Sequence, residues 1–232
     1  MLSIKNLYLK YTKEFYALED INLDVAPGES VAFVGEQNSG KTTLLRVIAK
    51  LEDYDSGEVY INKIPLKKID FKTDISVGYV PYCPVFLENK TVYENFKYIL
   101  NKKGYKPAEA EKMINNAIID FSLEKIRDEK VKNIRKEDKY ILSLIRLSFR
   151  QLDLLLVDNI FDEISDIYID AILNMIKKLK GPDTTLILAC TRPEIAEKIC
   201  KRKIYFEHGK VVDSTHKKFY GVLHHLELRG VA

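Results

Sequence analysis

Residues 30–43 read SVAFVGEQNSGKTT, and this stretch decides the fold. Ser30–Val34 (SVAFV) reads as a buried strand of the parallel-sheet kind, set off by the Pro27-Gly28 turn before it. Gly35–Thr43 (GEQNSGKTT) matches G-x-x-x-x-G-K-[ST] at Gly35, Gly40, Lys41 and Thr42. A helix follows from about Lys41 to Lys50, with Leu44, Leu45, Val47 and Ile48 apolar. Strand, glycine turn and helix are the context in which the pattern has chemical meaning. Glycines let backbone N–H groups turn inward around phosphate oxygens, and the helix N-terminus adds its positive end. Lys41 is placed to reach the β- and γ-phosphates, and the Thr42 hydroxyl to ligate Mg²⁺. Asn38, Ser39 and Thr43 complete the loop, and the whole predicts binding of a nucleoside triphosphate.

Outward from this loop, periodicity divides the chain. Residues 2–9 and 20–26 alternate as half-buried strands, and Gly57–Asn62 and Ser76–Val80 are further short strands. From about Thr91 to Arg150 the period becomes helical, at 92–102, 107–121 and 138–150, with Pro107 and Glu109 suited to a first turn. A buried strand returns at Leu152–Val157, then a helix at about 166–180, a strand at Thr185–Cys190 and a short helix from Pro193. Strand runs at Ile204–Phe206 and Val211–Val212 flank His208-Gly209. Alternating βα units around an all-helical block predict an α/β core carrying a helical insertion. A carboxylate is needed to hold the metal's water shell. Asp158, where the run LDLLLV emerges at the carboxyl edge of the sheet, is the candidate.

Composition narrows the function classes. The 232 residues are 46% hydrophobic and 31% charged, with a net charge of +3, so neither a strongly basic nucleic-acid binder nor an acidic tail protein is expected. Ile141–Leu147 and Leu152–Val157 fall far short of the ~20 apolar residues that span a bilayer. The opening MLSIKNLYLKYTKE lacks a signal-peptide core. The expectation is a cytoplasmic chain, held at a membrane only through a partner. Cys83, Cys190 and Cys200 lack C-x-x-C spacing and read as reduced, mostly buried small hydrophobes. His208, His216, His224 and His225 read as solvated tail residues rather than a metal site.

From about residue 2 to residue 213 the sequence resembles the nucleotide-binding subunits of ABC transporters. The resemblance rests on Tyr11, ALEDINLDVAPGE (Ala17–Glu29), the phosphate loop, SGEVYIN (Ser56–Asn62), VGYVP (Val77–Pro81), TVYEN (Thr91–Asn95), LLLVD (Leu154–Asp158) and the closing His208–Lys210. It implies a P-loop NTPase core with an N-terminal antiparallel β subdomain and an inserted helical subdomain at about 83–150, all one nucleotide-binding domain over 1–232. It also implies ATP and Mg²⁺ as ligands, Tyr11 stacking on adenine with Ala17 near it, and a helical block that contacts a membrane-spanning permease subunit. Two such subunits, alike or different, would sandwich two ATP molecules, with the chain at the inner face of the membrane.

The sequence departs from that family where catalysis is concentrated. Asn159 stands where the family has a catalytic Glu. A carboxamide takes no proton from water at neutral pH, and such a base contributes about 10²–10⁴-fold. Thr191 stands for the family's His, and Tyr82 for its Gln. The signature falls on Ile134, Arg135, Lys136, Glu137 and Asp138 (IRKED) in place of L-S-G-G-Q. Glu137 and Asp138 at a helix N-terminus stabilise that helix by ~0.3–1 kcal/mol but repel a triphosphate. Arg135 and Lys136 offset this in part, as point charges rather than a backbone cradle. Asp162 and Glu163 follow Asn159 closely but lie in a stretch the family uses to contact its partner subunit. The leading expectation is an ATP-binding subunit with weak or lost hydrolysis. The alternatives are a working transport ATPase, and a soluble ABC-like protein acting on nucleic acid or the ribosome, to which the clusters Lys102-Lys103, Lys177-Lys178 and Lys201–Lys203 would contribute.

Overall fold

The computed structural model describes residues 1–212; His216, His224, His225 and the last position of the resemblance, residue 213, lie outside the described residues. In chain order the elements are β1 (Leu2–Lys10), β2 (Tyr16–Val25), β3 (Ser30–Val34), α1 (Lys41–Ile48), β4 (Ser56–Ile61), β5 (Ile64–Pro65) and β6 (Val77–Val80). Next come α2 (Val92–Lys102), α3 (Pro107–Asp120), α4 (Lys136–Ser148), β7 (Leu154–Asp158) and α5 (Ile169–Leu179). The order closes with β8 (Thr185–Cys190), α6 (Pro193–Ala196), β9 (Arg202–Glu207) and β10 (Lys210–Val212). The sequence places β2 four residues late and α4 two residues late, so Lys136 already belongs to the first turn of α4. It does not anticipate β5, a two-residue strand.

The chain divides into two compact units, Met1–Ile69 with the chain from Ile187 onward, and Asp70–Leu186. In the first, an antiparallel sheet has the order β2-β1-β4-β5. Its hydrophobic pattern is out of phase in two places, Ile4 to Leu7 and Leu18 to Ile21, yet all four residues are buried. Register shifts at these points absorb the extra residue, with Asn6 and Asp20 in left-handed conformation and bonded to each other, Asn6 Nδ2 to Asp20 Oδ1 at 3.0 Å. Such bulges return each strand's apolar side chains to one face. β9 pairs with β10 antiparallel and with β3 in parallel, where Phe33 lies opposite Ile204 and packs its ring 5.0 Å from that of Phe206. The antiparallel sheet and the P-loop strand–turn–helix expected from the sequence are both present.

In the second unit β6 runs parallel to β7, with Gly78 opposite Leu155. Its helices bury a shared apolar cluster that includes Phe96, Leu100, Ile114, Ile118, Leu142 and Ile145, with Phe149 edge-on to Phe96 at 5.3 Å. TVYEN starts this block for a physical reason. Thr91 Oγ1 accepts from the Glu94 N–H at 3.1 Å and the Glu94 carboxylate accepts from the Thr91 N–H at 2.9 Å, a reciprocal cap. One turn on, the buried Asn95 amide accepts from the Leu87 N–H at 2.8 Å and donates to the Leu87 and Thr91 carbonyls at 3.1 and 2.9 Å. It thereby fixes the backbone of residues 87–91. Cys190 and Cys200 are buried as expected, whereas Cys83, on the irregular segment after β6, is exposed.

Asn95→Ala strands the Leu87 N–H, whose acceptor is the Asn95 side chain, and takes one of two donors from each of the Leu87 and Thr91 carbonyls. The expected loss is about 2 kcal/mol of unfolding free energy, read as a lowered denaturation midpoint.

Candidate functional site

The phosphate loop belongs to the first unit. β3 ends at Val34, six residues turn, and α1 begins at Lys41. Gly40 has φ 102°, and a Cβ there would stand 2.8 Å from the Ala17 carbonyl oxygen. A Cβ on Gly35 would stand 2.3 Å from the Phe206 carbonyl oxygen. Both glycines are therefore required by backbone passing against backbone. Asn38 takes a left-handed φ of 62°, which asparagine accepts more readily than most residues. Ser39 is buried, and its carbonyl accepts from the Gly209 N–H at 3.0 Å, so the closing His208-Gly209 turn buttresses the loop.

Lys41 is only 2% exposed. Its ammonium donates to the Gly35 and Glu36 carbonyls at 2.7 and 2.6 Å and to Ser39 Oγ at 3.0 Å. The charge thus lies along the loop and within the turn itself. Thr42 follows at the first turn of α1, and Thr43 is buried beside it. Thr43 Oγ1 and the Tyr11 hydroxyl lie 3.1 Å apart, which ties the residue expected to meet the base to the phosphate-loop helix. The Tyr11 ring stacks on Phe15 with centroids 6.5 Å apart, and both are 54% exposed. Ala17 is buried against Gly40. Thr191, just past β8, belongs to this unit as well and is half-buried.

The remaining candidates belong to the second unit. Asp158 ends β7 with no exposed surface, and its Oδ2 accepts from the Tyr79 hydroxyl on β6 at 2.9 Å. Asn159 is buried with φ 47° and ψ 27°, left-handed backbone that suits asparagine and disfavours glutamate. Tyr82 donates its hydroxyl to Glu163, and Lys136 pairs with the same carboxylate. The Tyr140 hydroxyl donates to the Tyr82 carbonyl. The position after β6, the start of α4 and the stretch after β7 are therefore one polar network.

IRKED does not read as a phosphate cradle in this network. Ile134 is buried, and Arg135 grips Asp138 through Nε at 2.9 Å while Nη1 donates to the Tyr168 hydroxyl at 2.9 Å. Lys136 is engaged by Glu163, and Glu137 and Asp138 lie in the first turn of α4 as expected. The two cations that were to offset the acidic pair are held by carboxylates of their own unit. Sequence reasoning missed the Tyr79–Asp158 bond, although Tyr79 lies inside the quoted VGYVP. It also missed Tyr140 and the left-handed backbone at Asn159, which no pattern of residue types signals.

Gly40→Ala places a side chain in strained backbone against a carbonyl, so unfolding free energy is expected to fall by roughly 2 kcal/mol. Gly181→Ala is the control, since its Cβ would meet nothing nearer than Thr184 Oγ1 at 3.7 Å. Denaturant melts of both variants check the contrast.

Comparison with known proteins bears on the same residues. The methionine import ATP-binding protein MetN of Clostridioides difficile (strain 630) is 26% identical over 220 residues, covering 92% of this chain and 68% of that protein. The ribose import ATP-binding protein RbsA of Clostridium tetani is 25% identical over 214 residues, 88% of this chain but only 42% of that protein. For a MetN relative from Acinetobacter baylyi the chain spans 61% of the protein's length. Among solved structures, an ATP-binding cassette determined as a dimer in a post-hydrolysis state with ADP and Pi superposes with a TM-score of 0.81 at 24% identity, covering 92% of this chain and 97% of that one. An ATP-binding subunit of an ABC transporter superposes with a TM-score of 0.78 over the whole chain and 95% of that one, also at 24% identity. These likenesses show the fold. The family model described as ABC transporter matches residues 18–162, from β2 through the phosphate loop to the turn beyond Asp158. That match covers well over half of the chain, and the chain belongs to the ABC transporter family.

Proposed function

We propose that this chain is the ATP-binding subunit of an ABC-transporter complex, a single nucleotide-binding domain that binds Mg-ATP and hydrolyses it weakly or not at all. The carrying observation is the contrast between an intact phosphate loop and an altered catalytic set. Gly35 and Gly40 have backbone within van der Waals reach where any Cβ would intrude, and Lys41 is seated inside their turn. Backbone N–H groups of this turn and the positive end of α1 suit phosphate oxygens. The Thr42 hydroxyl in the first unit and the Asp158 carboxylate in the second are each a hard-oxygen donor of the kind Mg²⁺ takes. When bound, that ion offsets charge on the β- and γ-oxygens. Tyr11 and Phe15 offer exposed aromatic surface for the base.

The residues expected to activate water are replaced by groups that take no proton. Asn159 supplies a carboxamide, and its left-handed backbone makes a glutamate there costly by roughly 1 kcal/mol before any chemistry. Glu163 is no substitute base, because Tyr82 and Lys136 occupy its carboxylate. The permease partner, the second nucleotide-binding subunit and the place at the inner membrane face belong to the same reading, supported by the relatives' import functions. No helix of the described residues is long and apolar enough to cross a membrane.

Calorimetric titration is expected to show Mg-ATP binding at micromolar to millimolar levels, weakened at least about tenfold by Lys41→Ala. No binding to the intact chain would sink the reading.

Steady-state phosphate release checks the catalytic half. Asn159→Glu alone is expected to stay near the parent's low rate, because groups that act as one set are strongly non-additive. Adding Thr191→His and an L-S-G-G-Q replacement of Ile134–Asp138 is expected to raise it. A gain of about a hundredfold from Asn159→Glu alone would make Asn159 the sole defect.

A further inference from the structure

The nucleotide reading leaves the tyrosine of VGYVP without a task. Tyr79 is the third residue of β6, and its hydroxyl donates to Asp158 Oδ2 at 2.9 Å. The register explains the reach. Tyr79 lies opposite Leu156 on the parallel neighbour β7, and Asp158 lies two residues further along, on the same face of that strand. Two residues of strand rise about 6.6 Å. A tyrosine leaning along its strand covers that span, and a serine or threonine hydroxyl does not. The frame around Tyr79 is fixed. The Ser76 carbonyl accepts from the Asp153 and Leu154 N–H groups at 2.9 and 3.2 Å, and the Ser76 N–H donates to the Asp153 carboxylate at 2.7 Å. These bonds tie the start of β6 to the start of β7. Arg150 donates Nη2 to the Val77 carbonyl, and Tyr140 donates its hydroxyl to the Tyr82 carbonyl, so the chain is held on both sides of Tyr79.

Asp158 has no exposed surface. A carboxylate out of water needs donors, and an O–H donating to an ionised oxygen is among the stronger hydrogen bonds. One freedom remains to such a side chain, rotation of the carboxylate plane about its last torsion, for which rotamer preference is broad. A donor held at a set distance by two paired strands removes that freedom. The ring of Tyr79 is half-buried, and a phenylalanine would fill the same space. The hydroxyl is therefore the part that packing does not explain, and it is the part that meets Asp158.

We propose that Tyr79 is a positioning residue for the divalent cation that accompanies the nucleotide, its hydroxyl holding the Asp158 carboxylate in the one rotation that the metal's water shell meets. The proposal rests on the reading of the chain as a Mg-ATP binder and adds a residue to it. Tyr79 acts through Asp158 and not on the nucleotide itself. ATP binding then divides into a metal-free part, carried by the phosphate loop, and a metal-dependent part, carried through Asp158. Tyr79 belongs to the second part alone.

The test titrates ATP into the purified full chain twice, in excess Mg²⁺ and in EDTA, for the parent and for Tyr79→Phe, which removes one oxygen and keeps the ring. Affinity in Mg²⁺ is expected to fall at least about tenfold in the variant, the loss typical of removing a group that orients a metal-binding carboxylate, while affinity in EDTA is unchanged. Asp158→Asn closes a double-variant cycle, and Tyr79→Phe added to it is expected to have no further effect in Mg²⁺. Melting curves confirm folding, and Tyr79→Met, which keeps apolar bulk in a more adaptable side chain, takes the place of a phenylalanine variant that does not fold. An equal loss in Mg²⁺ and in EDTA makes Tyr79 a packing residue and overturns the proposal. So does an unchanged affinity in Mg²⁺, a full additive effect on top of Asp158→Asn, or a parent that Mg²⁺ leaves indifferent. A parent that binds ATP in neither buffer loses the nucleotide reading and this proposal with it. One that binds in both, tighter in Mg²⁺, with a variant that matches it, loses only this proposal.

Discussion

Backbone pressed against backbone around Gly35 and Gly40 is the constraint from which the first unit is built. Gly35 passes the Phe206 carbonyl on β9 and donates its N–H to Cys190 at the end of β8. Gly40 passes the Ala17 carbonyl on β2, and the Gly209 N–H reaches the Ser39 carbonyl. Glu19 in turn donates its N–H to the Gly209 carbonyl at 2.8 Å. Residues from three separate stretches of sequence, 17–19, 190 and 206–209, therefore meet at one six-residue turn. Their spacing leaves no room for a side chain at either glycine, so the loop is shaped by the strands as much as it shapes what it binds.

This explains why that half of the site was legible in the sequence. Glycines, lysine and threonine at fixed offsets are needed by local geometry, and local geometry shows in residue type. The buried strands and the α1 stripe were equally readable, because their periods follow from pleat and turn. The bulges were not. The jump from Ile4 to Leu7 is a break in alternation that a sequence reading passes over, and only the paired strand shows that Asn6 and Asp20 absorb it together.

The second unit was legible as an inventory of departures and illegible as an arrangement. Asn159 and Ile134–Asp138 could be named from their offsets to Asp158, and Tyr82 from its place after VGYVP. What the offsets could not show is that the altered residues fit each other. Tyr82 and Lys136 meet on Glu163, Tyr140 supports Tyr82, and Arg135 joins Asp138 to Tyr168. Apart from Arg135–Asp138, three positions apart, these contacts link residues 27 to 81 positions apart, and such separations leave no periodic trace.

That mutual fit changes the meaning of the lost signature. An L-S-G-G-Q segment serves by leaving backbone open to a phosphate, which requires small, uncommitted residues. IRKED has the opposite property, since its cations are held by carboxylates of the same unit. Opening it to a phosphate would release Lys136 from Glu163 and leave that partly buried carboxylate with Tyr82 alone. Exposed pairs are worth little individually, but a network with one partly buried hub resists removal of any member. On the proposed reading of weak or lost hydrolysis, the barrier to turnover lies in the network as a whole. Asn159, whose left-handed backbone already suits asparagine, is on that reading a poor place from which to begin.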